Sequence, residues 1–219
     1  MTVVATAIIP VKRFASAKQR LTAAVGPELR AALAEAMLGD VLAAVGRSRG
    51  IQRAIVVSGE PAAGQVARTH EAEVVGDPDD EGHSRAATLG VDRALELGAG
   101  VAVLLPGDCP LVDPAELDAA LDRLTEGRVA IVPDRHGTGT NALLLAPPDA
   151  IEPAFGDGSR ARHERLARAG GNEAAIERLD SLALDVDTPD DLAALREVLA
   201  DAPWRAPRTA AVLHAPLRA

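Results

Sequence analysis

The sequence predicts a three-layer α/β/α sandwich, an α/β fold in which helices cover both faces of a parallel sheet. Apolar runs rich in β-branched residues occur at 2–10, 53–58 and 101–106, and such runs suit strands that are buried on both faces. Segments with apolar residues at helical spacing lie between these runs, most clearly at 27–45 and 82–97. This alternation of strand and helix predicts the layered architecture.

The first half of the chain has the clearer periodicity. Residues 2–10 form the first predicted strand, and from Leu29 to Val45 apolar residues recur every four positions on an Ala-rich background, as in an amphipathic helix. The elements predicted next are a strand at 53–58, a short helix at 61–70, a weak strand at 72–75, a helix at 82–97 and a strand at 101–106.

Helix-capping signals mark two starts in the second half. Asp113 is a typical N-cap, with Pro114 at the first helical position and Glu116 at the third, so a helix should begin there and run to about residue 124. Thr188, with Asp191 three residues on, repeats this pattern and starts a helix to about residue 199. The other predicted elements are strands at 129–133, 141–145 and 182–186 and a helix at 158–169.

The domain organisation follows from where this pattern stops. Residues 1–200 are predicted to form one domain, since 219 residues can bury a substantial core without disulfides or metal. Residues 201–219 contain three prolines and little apolar periodicity, so we expect a loosely ordered tail. Cys109 is the single cysteine, which excludes an internal disulfide.

Charge and hydropathy limit the partners. A formal net charge of -9 argues against a general nucleic-acid binder, which needs a broad basic field to release counterions from phosphates. No apolar stretch approaches the roughly 20 residues that cross a bilayer. We therefore expect neither a nucleic-acid nor a membrane partner. The single cysteine and an N-terminus without the basic stretch, apolar run and cleavage site of a signal peptide predict a cytoplasmic protein.

The two lysines, Lys12 and Lys18, lie in one loop after the first predicted strand. The other 21 basic residues are Arg. This bias has two interpretations: codon usage in a GC-rich genome, or a requirement for compact ammonium groups that contact phosphate as point charges. Residues 12–20 hold four cations, which would suit a triphosphate, although a solvated basic loop has the same composition.

Acidic residues follow two of the predicted strands, at the sheet edge where ligands bind in open parallel sheets. Asp108 comes directly after the apolar strand 101–106 and is held between Pro106 and Pro110. A carboxylate presented in this way suits Mg2+, which binds one or two protein carboxylates together with nucleotide phosphates. The alternative is an Asp that stabilises a turn.

Two more acidic residues, Asp185 and Asp187, lie at the end of the predicted strand 182–186. Residues two apart in a strand face the same side, so both carboxylates could point towards the site of Asp108. Asp187 is our first choice as metal ligand because it is closest to the end of the strand. Either residue could instead be a helix-cap or surface acid, since the spacing fits both roles.

Two segments, 137–141 and 155–159, combine flexible Gly with hydroxyl or amide side chains. Such backbone can form an anion-binding nest of N–H groups, and the second segment also precedes a helix. Ordinary turns remain the alternative. Neither segment has the spacing of a dinucleotide-binding or P-loop motif, which argues against nicotinamide dehydrogenases and P-loop ATPases.

Five motifs together resemble one family, the guanylyltransferases of coenzyme F-420 biosynthesis, which act on 2-phospho-L-lactate or phosphoenolpyruvate. The motifs span most of the chain in the expected order. They are the loop 9–14 with 17–21, the segment 108–111, the segment 139–143, the segment 155–159 with His163, and the segment 184–189.

The resemblance implies a GT-A-like nucleotidyltransferase fold with a mixed, mostly parallel seven-stranded sheet, and Mg2+ as cofactor. It implies metal binding by Asp108 and Asp187 and catalytic roles for Lys12, Lys18 and Asp108. It implies nucleotide contacts from Pro10, Lys12, Arg13, Lys18, Gly82 and Ser84. It implies contacts with the acid substrate from Thr140, Gly156 and Ser159. One segment departs from the family, since 82–86 reads GHSRA where relatives usually read Gly-Leu-Asn-x-Ala.

The implied reaction transfers GMP from GTP to the phosphorylated acid and releases pyrophosphate. The Arg- and Ala-rich composition is typical of GC-rich bacteria. The resemblance then implies phosphoenolpyruvate as the acceptor over 2-phospho-L-lactate, because bacterial members of the family are associated with phosphoenolpyruvate. A homodimer, and transfer of the product to the next enzyme of the pathway, are further hypotheses. The alternatives are a molybdenum-cofactor or sugar-phosphate nucleotidyltransferase, which a Gly-rich first loop would favour, and a nucleotide-binding protein without catalysis.

Overall fold

Seven strands form one mixed sheet in the computed structural model, which describes residues 4–14, 21, 22 and 25–215. The strands are β1 Ala5–Pro10, β2 Ile51–Val57, β3 Glu73–Val75, β4 Val101–Leu104, β5 Arg128–Pro133, β6 Thr140–Ala146 and β7 Glu173–Ile176. Their order across the sheet is β3-β2-β1-β4-β6-β5-β7. β6 runs antiparallel to β4 and β5, and the other neighbouring pairs are parallel. The predicted mixed, mostly parallel sheet is confirmed.

Helices cover both faces of this sheet. The α-helices among the described residues are α1 Pro27–Val45, α2 Pro61–Thr69, α3 His83–Glu96, α4 Pro114–Asp122, α5 Ser159–Ala169, α6 Pro189–Asp201 and α7 Pro207–His214. Buried residues of α1, α2 and α4 pack on one face, and those of α3 and α5 on the other. Neighbouring strand residues alternate between these layers, as Ile8 and Ile9 do in β1. The predicted three-layer sandwich is therefore confirmed.

Capping side chains start α4 and α6 as predicted. Asp113 accepts a hydrogen bond from the Ala115 amide at 2.8 Å, and Thr188 forms a reciprocal capping box with Asp191. Glu116 does not cap its own helix. It accepts from the Ser181 amide at 3.0 Å and the Ser181 hydroxyl at 2.8 Å, and so fixes the segment that precedes the acidic residues of the site.

The late strand predicted at 182–186 is wrong. Asp180–Leu182 is a 3-10 helix, and the chain then crosses the ends of the strands without joining the sheet. Its backbone groups bond elsewhere, because the Leu182 carbonyl accepts from the Asn141 side chain at 2.7 Å. The strand that does form is β7, which has the sequence EAAI and pairs with β5.

The loosely ordered tail expected after residue 201 also differs from the structure. A 3-10 helix, Pro203–Arg205, leads into α7, which packs on α1. The Asp40 carboxylate accepts from the amides of Arg208 and Thr209 at 3.1 and 2.8 Å, and Thr209 is fully buried. Proline begins both helices, where its missing N–H costs nothing, so it does not mark disorder here. Residues 216–219 lie outside the described part of the chain.

No helix among the described residues combines the length and the apolar composition needed to span a membrane.

Candidate active site

Two neighbouring cavities open at the carboxyl ends of β1 and β4. The smaller, of about 290 Å³, lies beside the loop after β1, and the larger, of about 360 Å³, lies beside the loop after β5 and the start of α5. The residues that line both are His83, Pro106, Asp108 and Asp187. The two predicted metal ligands therefore stand at the junction of the cavities.

The smaller cavity is built on the backbone that leaves β1. Pro10, Val11 and Lys12 line it. The Val11 amide donates to the Val57 carbonyl at 2.9 Å, and the Ser58 hydroxyl donates to the Val11 carbonyl at 2.7 Å, so β2 fixes the start of this loop. Lys12 thus presents its ammonium group from a fixed backbone.

Arg13, the next predicted residue of this loop, has a partner outside the two cavities, and its predicted nucleotide contact stays a prediction. The Arg13 guanidinium donates to the Pro78 carbonyl at 3.4 Å, and Arg13 lines neither cavity. Lys18 lies outside the described residues, so its predicted role stays a prediction.

Backbone contacts bring Asp108 and Asp187 together. The Val186 amide donates to the Asp108 carbonyl at 3.3 Å, which places the next residue, Asp187, beside the loop after β4. In the part of the chain described, no three His, Cys, Asp or Glu side chains form a group that could hold a metal ion. A cation here would take protein oxygens from one or two carboxylates and its remaining ligands from substrate or water, as Mg2+ does beside nucleotides.

Asp185 adds a third negative charge to this region. Burial raises the pKa of Asp185, and the charges of Asp108 and Asp187 raise it further, while the Asn141 side chain lies 3.5 Å from its Oδ1. A carboxylate whose ionisation is disfavoured by burial and by neighbouring carboxylates is the kind of donor that a hard cation stabilises. Asp185 also lines the larger cavity, although the strand 182–186 from which its orientation was predicted does not form.

An ion pair that the sequence did not predict supports Asp187. Oδ2 of the buried Asp191 accepts from the backbone amides of Asp187 and Thr188 at 3.1 and 2.7 Å. Its Oδ1 lies 2.6 Å from Nη1 of Arg135, which extends from the loop after β5. Arg135 therefore links the far wall of the larger cavity to the backbone of Asp187.

The predicted acid-binding residues Thr140, Gly156 and Ser159 line the larger cavity. Gly156 has φ 104°, a left-handed conformation that L side chains rarely adopt, so glycine is required there. Ser159 is the first residue of α5, and its amide donates to the Gly156 carbonyl at 3.0 Å. The positive end of the α5 dipole faces this wall, which favours an anion.

The fully buried His163 lies behind that wall. Its Nδ1 is 3.0 Å from Oγ1 of Thr140, and its Nε2 accepts from the Ala154 amide at 2.9 Å. Burial lowers the pKa of His163 to about 4, with a smaller contribution from the charge of Arg162, so the ring is neutral near pH 7.

The start of α3, where the sequence departs from the family pattern, supplies a site residue that the prediction missed. His83 lines both cavities and packs edge-on against Phe155, with ring centroids 4.7 Å apart. Gly82 and Ser84 flank it but line neither cavity. The Ser84 hydroxyl accepts from the Phe155 amide at 2.9 Å, and because Phe155 lines the larger cavity, this bond connects Ser84 to the wall of that cavity. The predicted nucleotide contacts of Gly82 and Ser84 stay predictions.

The fold is that of the GT-A-like nucleotidyltransferases. The chain superposes with a TM-score of 0.72 on a structure from Desulfovibrio desulfuricans G20 described as a nucleotide-diphospho-sugar transferase, at 20% identity, covering 95% of this chain and 93% of that one. It superposes with a TM-score of 0.65 on 4-diphosphocytidyl-2C-methyl-D-erythritol synthase from Anaerococcus prevotii, at 11% identity, covering 91% and 97% of the two chains.

The sequence identifies the family within this fold. Residues 5–199 match the family model described as "Guanylyl transferase CofC like", and the chain belongs to that family. The phosphoenolpyruvate guanylyltransferase of Conexibacter woesei is 48% identical over 214 residues, which are 97% of this chain and 96% of the relative. The phosphoenolpyruvate guanylyltransferase of Sphaerobacter thermophilus is 41% identical over 186 residues, 85% and 89% of the two chains. The predicted family is confirmed.

Proposed function

We propose that this guanylyltransferase transfers GMP from GTP to phosphoenolpyruvate, with release of pyrophosphate, in coenzyme F-420 biosynthesis. The observation that carries the proposal is the position of Asp108 and Asp187 at the junction of the two cavities. A cation at that junction would contact both substrates. The names of the relatives support phosphoenolpyruvate as the acceptor.

The two cavities suggest a division between the substrates. The smaller cavity has Lys12 at its edge, which suits the phosphates of GTP because an ammonium group neutralises phosphate charge. The larger cavity ends at Thr140, Gly156 and the start of α5, where hydroxyl groups and the helix dipole suit the carboxylate and phosphate of a small acid.

The charge of the larger cavity supports a requirement for Mg2+. Six aspartates line it: Asp108, Asp134, Asp157, Asp185, Asp187 and Asp191. Arg135, His83 and His136 are the basic residues in the same lining. A phosphorylated carboxylic acid would meet net repulsion there without additional positive charge. Mg2+ held by Asp108 and Asp187 would supply that charge and would stabilise negative charge at the reacting phosphates.

The reaction needs positioning and charge neutralisation from the protein. An oxygen of the acceptor phosphate attacks the α-phosphorus of GTP in line, and the bond from that phosphorus to the oxygen it shares with the β-phosphate breaks, so that this oxygen leaves with pyrophosphate. The acceptor phosphate is already ionised near pH 7, so no protein nucleophile or general base is required. Lys12 offsets charge on the GTP phosphates, and the acid-binding residues hold the acceptor in place.

The test is pyrophosphate release by the purified protein with GTP, Mg2+ and either phosphoenolpyruvate or 2-phospho-L-lactate, with the product mass measured. We expect release with phosphoenolpyruvate and loss of turnover in Asp108→Asn. Asp92→Asn is the matched control, because Asp92 is an exposed acid on α3 outside the site. Release with neither acid, release with 2-phospho-L-lactate but not with phosphoenolpyruvate, or ordinary activity of Asp108→Asn would contradict the proposal.

A further inference from the structure

We propose that His163 is a positioning residue, which fixes the Thr140 hydroxyl so that its hydrogen points to the acid substrate. This inference rests on the proposed function, because it takes the larger cavity as the acid site. It concerns a residue that lines neither of the two cavities. His163 would therefore act through Thr140 and not by contact with substrate.

The hydrogen bonds of the ring define its tautomer. The Ala154 backbone amide can only donate, and it lies 2.9 Å from Nε2, so Nε2 is the unprotonated acceptor. In a neutral imidazole the hydrogen is then on Nδ1, which lies 3.0 Å from Oγ1 of Thr140. Nδ1 donates and the Thr140 oxygen accepts. A protonated ring would present N–H groups at both positions and would lose the Ala154 bond.

This tautomer determines what the Thr140 hydroxyl can do. Its oxygen is occupied as an acceptor on the side of the buried ring, so the hydroxyl's own hydrogen is available on the other side. Thr140 lines the larger cavity. The hydroxyl thus becomes an oriented donor, and a carboxylate or phosphate oxygen is an acceptor of matching charge.

The surroundings of His163 hold the ring in this orientation. His163 is 0% exposed and lies on α5, and the Phe155 ring packs against it edge-on with centroids 5.3 Å apart. Its two ring nitrogens bond to the start of β6 and to the segment before Gly156, so one side chain connects three parts of the acid site. A fixed donor loses less entropy when substrate binds than a freely rotating hydroxyl does.

Three substitutions separate the two ring nitrogens. His163→Phe keeps an aromatic ring, although a larger one, and removes both hydrogen bonds. His163→Asn can place an amide N–H near the position of Nδ1, whereas His163→Gln can place an amide oxygen near the position of Nε2. We expect His163→Phe to raise the KM for phosphoenolpyruvate about tenfold or more, with the KM for GTP unchanged. The KM for phosphoenolpyruvate should be close to the wild-type value in His163→Asn and close to the His163→Phe value in His163→Gln.

A double-substitution cycle distinguishes positioning from a purely structural role. If His163 acts through the hydroxyl, His163→Phe should add less than about twofold to the KM for the acid in a Thr140→Val background, because the oriented group is already gone. Circular dichroism identifies variants that fold. If His163→Phe does not fold, the Asn and Gln variants carry the test.

Three results would overturn the inference. They are an equal effect of His163→Phe on the KM for the acid in the wild-type and Thr140→Val backgrounds, a rise in the KM for GTP equal to that for the acid, and an unchanged KM for the acid in a folded His163→Phe variant. Wild-type activity keeps this outcome separate from the proposed function. If the wild type releases pyrophosphate from GTP and phosphoenolpyruvate but the cycle shows no coupling, this inference alone fails. If the wild type does not react with the acid, the proposed function fails and the role of His163 fails with it.

Discussion

The backbone amide of Val186 donates a hydrogen bond to the backbone oxygen of Asp108 at 3.3 Å, although the two residues are far apart in the sequence. Through this bond the chain before α6 is held against the loop after β4. Asp108 and Asp187 consequently line the same two cavities. The geometry of the site depends on the hydrogen bonds and ion pairs that hold the chain before α6 against the loop after β4.

Substitution of Lys12 tests the assignment of the smaller cavity to the phosphates of GTP. Lys12→Gln should raise the KM for GTP about tenfold or more, because a charge-assisted contact with phosphate is lost. Arg47→Gln is the matched control, since Arg47 is an exposed cation just after α1 that lines neither cavity. Steady-state kinetics at saturating acid checks both. Equal effects of the two substitutions would contradict the assignment of Lys12 to the smaller cavity.

Substitution of Arg135 tests whether its ion pair with Asp191 holds the backbone of Asp187 in place. Arg135→Gln breaks the 2.6 Å ion pair with Asp191, whose other oxygen accepts from the Asp187 amide. We expect the Mg2+ concentration for half-maximal activity to rise about tenfold or more, because loss of a residue that orients a metal ligand typically weakens metal binding by about 10–100-fold. Arg165→Gln, at an exposed position on α5, should leave the Mg2+ titration unchanged. Identical titrations for Arg135→Gln and wild type would refute this role.

Asp118 should make stability depend on pH in the acidic range. Burial alone would raise the pKa of Asp118, but hydrogen bonds from Ser48, Gly50 and Arg49 more than offset this and lower it to about 2. A lowered pKa in the folded state means that the stabilisation is present above the ordinary value of 3.8 and is lost as the pH falls towards about 2.

The substitution Asp118→Asn measures this contribution. We expect the free energy of unfolding at pH 7 to fall by about 2–4 kcal/mol, because bonds from several donors to a charged acceptor are weakened or lost. In urea titrations the difference from wild type should stay constant down to about pH 4 and shrink below it. A difference that grows as the pH falls would contradict this account.

Two helical glycines should respond in opposite directions to Ala. A methyl group at Gly90 of α3 would overlap the Ile8 side chain in the sheet, so Gly90→Ala should destabilise by about 1–3 kcal/mol. At Gly64 of α2 the nearest atom to the new methyl group is Nη1 of Arg68 at 3.4 Å, which is ordinary contact. Gly64→Ala should then be neutral or stabilising by up to about 1 kcal/mol. Thermal unfolding of both variants gives the comparison.

Local pattern was sufficient for the parts of the fold with strong periodicity. β1 and α1 were predicted because a long β-branched run and a four-residue apolar repeat each indicate one structure. β7 was missed because the sequence EAAI has neither alternation nor β-branched residues apart from Ile176, and the strand forms through pairing with β5. The segment 182–186 alternates like a strand, but its backbone partners are Asp108 and Asn141 instead of a neighbouring strand.

The candidate site was predictable to a similar degree. Asp108 and Asp187 follow from their positions after apolar runs and from the family motifs. Arg135 and Asp191 could not be paired from one sequence, because their contact joins a loop and a helix that are distant along the chain. The prolines at 203 and 207 suggest a loosely ordered tail, although each begins a helix, and α7, which starts at the second, packs on α1 and bonds to the buried Asp40.

The most direct test of the account compares two neighbouring acids at the start of α6. Asp187 lines both cavities, whereas Asp190 is exposed three positions further on. Pyrophosphate release from GTP and phosphoenolpyruvate with Mg2+ should fall at least about a hundredfold in Asp187→Asn, since charge stabilisation at the reacting phosphates is lost. Asp190→Asn should stay within about twofold of wild type. Comparable activity of Asp187→Asn and wild type would contradict the claim that the carboxylate pair holds the cation that the reaction needs.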